Sequence, residues 1–309
     1  MAFSGGTQSY TNSGGLRQDL LNQLKLIQES KTPFVSRLKS SVAKQRYHEF
    51  VSDRIPTPAD NNAAGQVAVE GDDFNPAVVA NFNQSGNYCQ IIRRDFAISG
   101  TMEASEYAGI ASNVAYQKQK SLKAIGVGLE VAILQGTGAS GASGTGRSLK
   151  GLTQWALDGF SYTSATGSVD ATAFATSAGE EKFLDICQAL SVKGVEINFA
   201  YVNTVIKRKM DKWTLNVVKY DNVADKKGTF FAKIAVYESS FGTTELLFTP
   251  SASANAVIVG DMNDLRIAYL RRPFSEAQGK RGDSWPVIVL LEATLEVLNP
   301  YSVGYISLT

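Results

Sequence analysis

The chain has 309 residues, of which 19% are charged, and its 30 lysine and arginine residues nearly balance its 29 aspartate and glutamate residues. This length predicts about two domains with a sizeable buried core. Because the positive and negative charges nearly cancel, the net charge of the chain does not indicate a particular class of partner. A charged fraction below the usual value of roughly 25% indicates that part of the surface is buried against other molecules.

Several classes of protein are excluded by short segments of the sequence. The start of the chain lacks a basic segment followed by an apolar run, so it is not a secretory signal, and no stretch approaches the ~18 apolar residues of a membrane span. Cys89 and Cys187 lie far apart and match no ligand spacing, which argues against a disulfide scaffold and against a zinc site. We therefore expect a protein that is made in the cytoplasm and does not enter a membrane.

The first hundred residues predict an arm, a helix and a ribbon. Residues 1–15 are mostly small and polar, so we expect a mobile arm, and leucines at helical spacing predict a short helix over 16–29. Strands are predicted over 44–56 and 87–99, which are rich in β-branched and aromatic residues. About thirty polar residues lie between these strands, so we interpret 44–99 as a two-stranded ribbon that needs another surface to lie on.

One long helix is predicted over 103–135, where apolar residues step by threes and fours without a proline. Glu103 and Glu106 would lie in its first turn, where the helix dipole favours acidic groups. Gly136 is a suitable C-terminal cap.

Residues 136–148, GTGASGASGTGRS, contain two patterns related to phosphate-binding motifs. Gly136, Gly138 and Gly141 match G-x-G-x-x-G, and Arg147 takes the place of lysine in a near match to the phosphate loop. Both motifs require the glycines to follow a strand and to open a helix, whereas these glycines follow the predicted helix and precede no amphipathic one. A flexible linker is the favoured interpretation, and a nucleotide-binding enzyme that uses this loop is the weaker alternative.

The second half of the chain predicts a mixture of helices and strands. A helix is predicted to begin at Ser177, with Glu180 completing a capping box, and Asn203 is predicted to cap a short basic helix. Strands are predicted over 195–202, 229–237, 244–248, 255–260, 264–271, 286–298 and 303–308. The order lacks regular βαβ alternation, which favours an α+β fold.

Residue types that carry catalysis are scarce in this chain. His48 is the only histidine and lies in a predicted strand, where packing or surface exposure accounts for it. No catalytic serine motif and no zinc-protease motif is present. We therefore predict a protein that is not an enzyme, with no catalytic residue, no cofactor and no metal.

Basic residues are concentrated near the start of the chain. Residues 1–50 contain seven lysines and arginines but only three acidic residues. Such a net-positive arm suits contact with a polyanion such as DNA, while ordinary solvated charge is an equally good interpretation. The candidate DNA-facing residues are Arg17, Lys25, Arg37, Lys39, Lys44 and Arg46.

Stretches over nearly the whole chain, in the same order, resemble the major capsid proteins of tailed bacteriophages, which share the Hong Kong 97 fold. They are KTPFVSRL, EG at 70–71, NYCQIIRRDFAISGT, LEVAILQG, GRSLKGL, VYESSFG, VGDMNDLRIAYLR and GDSWPVIVLLEATLEVLNPYSVGYI. Their order and spacing are more specific than any one of them, and residues 1–15, 56–69 and 156–176 carry no resemblance.

The resemblance implies an α+β, Hong Kong 97-like fold with four parts. They are an N-terminal arm (1–43), an extended two-stranded loop (44–99), a peripheral domain (100–176 and 258–309) with a spine helix (103–135), and an axial domain (177–257). In this family the extended loop reaches over a neighbouring subunit, which would supply the surface that the ribbon needs.

The resemblance also implies a function and partners. The chain would assemble into hexamers and pentamers of an icosahedral shell around double-stranded DNA, in a virion made in the host bacterial cytoplasm. A short arm favours a separate scaffolding protein, and a portal is a further expected partner. Some family members form a Lys–Asn cross-link between subunits, which we assign to no particular residues of this chain. A cargo-enclosing bacterial nanocompartment of the same fold is the alternative.

Overall fold

The computed structural model describes residues 32–53, 82–107, 109–158, 160–162, 170–213, 236–250, 252–280 and 282–308, together with residues 55, 70, 71 and 73. The predicted arm, the predicted helix over 16–29, most of the polar segment between the ribbon strands and most of the strand predicted over 229–237 lie outside these ranges.

Strands outnumber helices in the described residues. The strands are β1 (Lys39–Val42), β2 (Tyr47–Ser52), β3 (Asn83–Tyr88), β4 (Gln90–Ser99), β5 (Thr137–Ala139), β6 (Ser148–Lys150), β7 (Phe160–Tyr162), β8 (Phe199–Val202), β9 (Val236–Ser239), β10 (Gly242–Phe248), β11 (Ala256–Gly260), β12 (Leu265–Ala277), β13 (Ser284–Val297) and β14 (Val303–Ser307). The helices are α1 (Gly100–Ala104), α2 (Asn113–Gln135), α3 (Leu152–Asp158), α4 (Ser177–Val192) and α5 (Thr204–Met210), with short 3₁₀ turns at Ala173–Ala175 and Met262–Asp264.

Four strands form one sheet, in the order β1–β12–β13–β4. Strand β1 runs parallel to β12, and the other pairs are antiparallel. Alternate residues of β13, such as Val287, Val289 and Leu291, point towards α2 and belong to the largest core cluster, which also contains side chains of α3 and of the second sheet. The strand predicted over 286–298 is therefore confirmed as the central strand β13.

The ribbon consists of β2 and β3, which form a separate antiparallel pair. The prediction that all of 87–99 pairs with 44–56 is wrong beyond Tyr88, because β4 pairs with β13 instead. The polar strand β3 is stabilised by aromatic packing. The rings of Tyr47 and Tyr88 lie 4.7 Å apart, and a Cβ added to Gly86 would come within 2.6 Å of the Tyr47 ring. Glycine at position 86 thus makes room for a tyrosine that covers the ribbon.

A second sheet has six strands, in the order β7–β14–β11–β8–β10–β9. All five residues of its central strand β11 are buried. Helix α4 covers this sheet with an apolar stripe, which includes the fully buried Phe183, Ile186 and Leu190. Strands β7 and β14 belong to the predicted peripheral domain but pair within this sheet, so the sheet crosses the predicted boundary at residue 257.

The predicted helix over 103–135 is wrong at its start and right at its end. The chain forms α1 first, and α2 begins only at Asn113, because Gly109 adopts a left-handed conformation with φ of 75° and Ser112 caps the new helix by accepting a hydrogen bond from the Ala115 N–H. Glu103 still serves the N-terminus of α2 from outside, since its carboxylate accepts hydrogen bonds from the Ser112 hydroxyl and the Val114 N–H.

The glycine-rich segment is a hairpin rather than a flexible linker. Strands β5 and β6 pair antiparallel on either side of the turn, and α3 follows directly, although no helix was predicted there. This seven-residue helix has only one short apolar face, formed by the buried Leu152, Trp155 and Ala156. So short a helix gives little periodic signal in a sequence.

The helices of the second half agree with prediction except at one cap. Asn203 caps α5, because its side chain accepts a hydrogen bond from the Val205 N–H. The capping box at Ser177 is wrong, since Thr176 precedes α4 without a side-chain cap. The Glu180 carboxylate accepts a hydrogen bond from the Tyr237 hydroxyl at 2.8 Å instead. Glu180 therefore forms a tertiary hydrogen bond with Tyr237 and not the local hydrogen bond of a capping box.

Candidate assembly surfaces

The first described turn of the chain is held by a buried carboxylate on α2. The two Glu130 oxygens accept hydrogen bonds from the backbone N–H groups of Phe34, at 3.2 Å, and Val35, at 2.8 Å. The Tyr201 hydroxyl, on the six-stranded sheet, donates a third bond at 3.2 Å. The Phe34 ring is fully buried between Phe199 and Tyr201. This constellation fixes where the chain preceding β1 leaves the core.

Burial disfavours the charged form of the Glu130 carboxyl group. Burial raises the pKa of this carboxyl, and the two backbone N–H groups and the Tyr201 hydroxyl oppose that shift. Burial, and then the nearby Glu130, also raise the pKa of Tyr201, which keeps the phenol protonated as a donor. A buried carboxylate is tolerated only when it is fully hydrogen-bonded, so the three donors and Glu130 depend on each other.

The base of the ribbon is fastened to the core by polar side chains. The buried Asn87 amide donates to the carbonyl oxygens of Lys150 and Leu295, both at 2.9 Å, and its oxygen accepts from the Lys150 N–H at 2.7 Å. His48 Nε2 lies 2.5 Å from a Glu296 oxygen on β13. These contacts hold β2 and β3 against β6 and β13, so the ribbon leaves the domain in a defined direction.

The described end of the ribbon away from its base presents apolar side chains to solvent. Val51 is 58% exposed, Phe82 is 68% exposed and Ile55 is 88% exposed. Val51 and Phe82 lie beside the last described pair of the ribbon, Ser52 with Asn83. Each of these side chains is more than half exposed, which makes this end a candidate contact surface.

Arg147, the residue of the phosphate-loop pattern, serves an internal ion pair. Its guanidinium donates to one oxygen of Glu292 at 2.5 Å, and Arg271 donates to the other oxygen at 2.8 Å. Arg147 Nε also donates to the Cys89 carbonyl oxygen at 3.2 Å. Glu292 is buried in β13. The hairpin therefore uses its arginine to neutralise a buried carboxylate, and this cation is not available to a phosphate.

Replacing Arg147 with alanine should lower the free energy of unfolding by about 2–3 kcal/mol, because Glu292 would keep only one cationic partner in a buried position. Saturating ATP or NAD should leave the melting temperature of the wild-type protein unchanged. Denaturant and thermal unfolding measure both effects, with the exposed Arg46→Ala as the matched control. A nucleotide-induced stabilisation that disappears in Arg147→Ala would contradict this account of the hairpin.

The described residues offer little for catalysis or metal binding. Burial raises the pKa of Cys89 to about 11, with Glu292 adding to the shift and Arg147 opposing it, and burial raises the pKa of Cys187 to about 12. Such thiols stay protonated and are poor nucleophiles. Within the described ranges, no group of three histidine, cysteine, aspartate or glutamate residues could hold a metal. No described helix is long and apolar enough to cross a membrane.

The candidate DNA-facing residues are only partly described. Arg17 and Lys25 lie outside the described ranges. Lys39, Lys44 and Arg46 are exposed on and after the edge strand β1. Arg37 is also exposed but forms an ion pair with Glu245 of the six-stranded sheet, so part of its charge is already neutralised. A role of these residues at DNA stays a prediction.

The residues that fix the first turn, the ribbon and the hairpin to the core were not predicted from the sequence. Glu130 stands between the buried Leu129 and Ile133 of α2, and a charged residue inside an apolar stripe is the signal that could have marked it. Asn87 and Glu292 gave no comparable signal, because their partners come from distant parts of the chain.

Comparison with solved structures confirms the predicted α+β, Hong Kong 97-like fold of tailed-phage capsids. The capsid of a native GTA particle superposes with a TM-score of 0.69 at 11% identity, covering 98% of this chain and 99% of that chain. The capsid of the cyanophage P-SCSP1u gives 0.62 at 10% identity, covering 99% of both chains. A chain of Gordonia phage Cozz gives 0.62 at 14% identity, covering 99% of this chain and 96% of that chain.

Sequence comparison identifies the family directly. No curated protein is significantly similar to the chain, but the family model of the SU10 major capsid protein matches residues 3–309. This match includes the sequence of the predicted arm, the ribbon, both sheets and α2, so nearly the whole chain corresponds to one family. The chain belongs to the SU10 major capsid protein family and is a phage capsid shell protein.

Proposed function

We propose that the chain assembles into hexamers and pentamers of an icosahedral shell that encloses the double-stranded DNA of a tailed phage. Membership of a major capsid protein family supports the phage shell over the nanocompartment alternative. The proposal assigns the chain a structural role without catalysis. Its synthesis takes place in the host bacterial cytoplasm, and a separate scaffolding protein and a portal take part in assembly.

The observation that carries this proposal is the ribbon with its exposed apolar end. An isolated two-stranded ribbon is marginally stable in water and needs a third surface. Its base is bound tightly to its own subunit through Asn87 and His48, whereas Val51, Ile55 and Phe82 are exposed at the other end. A neighbouring subunit in a capsomer would cover these side chains.

The proposed subunit has the four predicted parts, and only the extended loop has new bounds. The N-terminal arm is 1–43, and the extended loop is narrowed from 44–99 to 44–88, because β4 pairs within the four-stranded sheet. The peripheral domain holds α2 as its spine, and the axial domain holds α4 and α5. The basic residues of the arm, with Lys39, Lys44 and Arg46 at its end, contact packaged DNA without sequence preference.

Nuclease protection tests what the shell encloses. Particles purified from a lysate that contains this protein are treated with a nuclease, opened with denaturant and assayed for intact double-stranded DNA and for co-purifying protein. We expect protected DNA of uniform length. Particles that hold only a protein cargo would favour the nanocompartment, and nuclease-sensitive DNA would contradict enclosure.

A further inference from the structure

One face of α2 is covered near its C-terminal end and open along its N-terminal half. Steps of three and four residues place five positions on this face, namely Ala115, Gln119, Leu122, Gly126 and Glu130. Glu130 is fully buried there, beneath the first described turn of the chain. By contrast, Leu122 is 39% exposed, and Ala115 and Gln119 are exposed as well. We call positions 115, 119, 122 and 126 the open stripe.

Gly126 weakens α2 without a reason within the described residues. Glycine in the interior of a helix is less favourable than alanine. A Cβ at position 126 would meet no described atom within 4 Å, whereas one at Gly128 would lie 3.3 Å from Ile92. Packing against the sheet thus accounts for Gly128 but not for Gly126. A glycine that faces open space allows another segment of backbone to approach α2 closely.

The direction of α2 relative to the four-stranded sheet follows from its contacts. Ile92 of β4 lies beside Gly128, and β4 leads through α1 to Glu103, whose carboxylate serves the N-terminus of α2. Helix α2 is therefore antiparallel to β4. Because β13 is also antiparallel to β4, α2 and β13 run in the same direction.

The chain after Phe34 runs towards the C-terminal end of α2 and passes it. Phe34 is held only two residues of α2 beyond Gly128, at a level marked by Leu291 of β13, which pairs with the β4 residue beside that glycine. Glu296 lies about 16 Å further along β13 and shares its level, through β12, with Lys39 at the start of β1. Helix α2 ends only about 10 Å beyond Gly128. Traced backwards from Phe34, this direction leads along the open stripe.

The segment that precedes Phe34 in the sequence has the pattern and the length to cover the open stripe. This segment, 16–29, lies outside the described residues, and a helix is predicted for it. Its apolar residues at the spacing of one helix face are Leu16, Leu20, Leu24 and Ile27. A helix over 16–29 would span about 21 Å, and the distance along α2 from Ala115 to Glu130 is about 22 Å.

We propose that residues 16–29 form a helix that docks on the open stripe of α2 in its own subunit and runs parallel to α2. Its apolar face covers Leu122, and its backbone approaches Gly126. An isolated helix of this length is marginal in water, so packing of its apolar face supplies the stability that it lacks. The inference concerns the subunit before assembly and goes beyond the proposed function, on which it does not depend.

A segment of the same chain fits the open stripe better than a separate molecule does. The backbone N–H groups of Phe34 and Val35 are bonded to Glu130, so residue 29 cannot be far from the end of the open stripe. Docking of a tethered segment is favoured by a high effective concentration. A separate chain would also have to lose translational and rotational freedom.

Limited proteolysis of the unassembled full-length protein with trypsin tests the docking. Lys25 is the reporter site, because it lies within 16–29 on the side of the predicted helix away from its apolar face. Leu122→Gln with Gly126→Gln changes the open stripe. Lys120→Gln with Val131→Gln is the matched control, since both residues are exposed and lie more than about 100° around the helix axis from the stripe. Glutamine is a good helix former at all four positions.

We expect trypsin to cleave after Lys25 at least about tenfold faster in the stripe variant than in wild type, because a docked helix must detach before it can be cleaved. The control should be cleaved at the wild-type rate, and mass spectrometry of the products identifies the site. Equal rates in wild type and stripe variant would overturn the proposal. Acceleration of the same size in the control would overturn it as well.

A second variant keeps the test decisive if the stripe variant fails to fold. Leu20→Gln with Leu24→Gln changes no described residue and should accelerate cleavage after Lys25 to the same extent. Cleavage of this variant at the wild-type rate would refute the docking. Sedimentation velocity of the same samples separates docking within the subunit from docking on a second copy. Protection of Lys25 that arises only after subunits associate would place 16–29 on a second copy and contradict the proposal.

Discussion

Replacing Glu130 with alanine should lower the free energy of unfolding by roughly 3–5 kcal/mol, one of the largest effects expected from a single substitution in this chain. The backbone N–H groups of Phe34 and Val35 and the Tyr201 hydroxyl would all lose their acceptor inside the core. A cavity beside Phe34 would add to the loss. We also expect the segment before β1 to detach, since these bonds hold its first turn.

Denaturant unfolding measures the stability, and limited proteolysis of the native protein measures release of the segment. Glu130→Gln is the conservative comparison. It retains the volume and one acceptor oxygen but turns an NH₂ group towards the remaining donors, so we expect an intermediate loss. Gln119→Ala, exposed on the same helix, is the control with little effect. If Glu130→Ala were as stable and as protease-resistant as Gln119→Ala, the proposal that Glu130 holds the segment before β1 would be refuted.

Shortening the ribbon should abolish shell formation while leaving the subunit folded. Residues 54–81 are removed, and Asp53 is joined to Phe82 by an Asn-Gly turn, the pair favoured in two-residue hairpins. The contacts of Asn87 and His48 at the base of the ribbon remain, so the melting temperature should change by only a few degrees. Assembly should fail, because the ribbon can no longer reach a neighbouring subunit.

Circular dichroism reports the folding of the shortened subunit, and sedimentation velocity reports its assembly. Val51→Ser with Phe82→Ser in the full-length chain is the companion variant, which keeps the ribbon but removes exposed apolar contacts, and we expect weakened assembly. Normal shells from the shortened chain would refute the extended-loop assignment. An unfolded shortened subunit would show instead that the ribbon belongs to the core of its own subunit.

Elements with a long, regular pattern could be predicted from the sequence. Strand β13 is fourteen residues long and rich in β-branched and other apolar residues, and α4 carries its apolar stripe on one face over four turns. In both cases the local sequence and the tertiary packing favour the same structure. The resemblance to capsid proteins added the order of the parts, which no single period contains.

Other elements depend on contacts between distant residues. Helix α2 begins late because Gly109 and Ser112 interrupt a run in which apolar residues still recur at helical spacing. Strand β3 has the polar sequence NQSGNY, and it forms a strand because Tyr47 from β2 packs over Gly86. Glu130 and Glu292 form their stabilising hydrogen bonds with residues that lie far from them in the sequence. A single sequence read locally cannot supply such pairings.

Electron cryomicroscopy of purified particles tests the central claim most directly, because it shows subunit contacts and symmetry together. We expect a closed icosahedral shell of sixfold and fivefold capsomers, in which the ribbon of each subunit lies on its neighbour and the neighbour covers Val51, Ile55 and Phe82. Particles without such capsomers, or a ribbon folded back onto its own subunit, would contradict it.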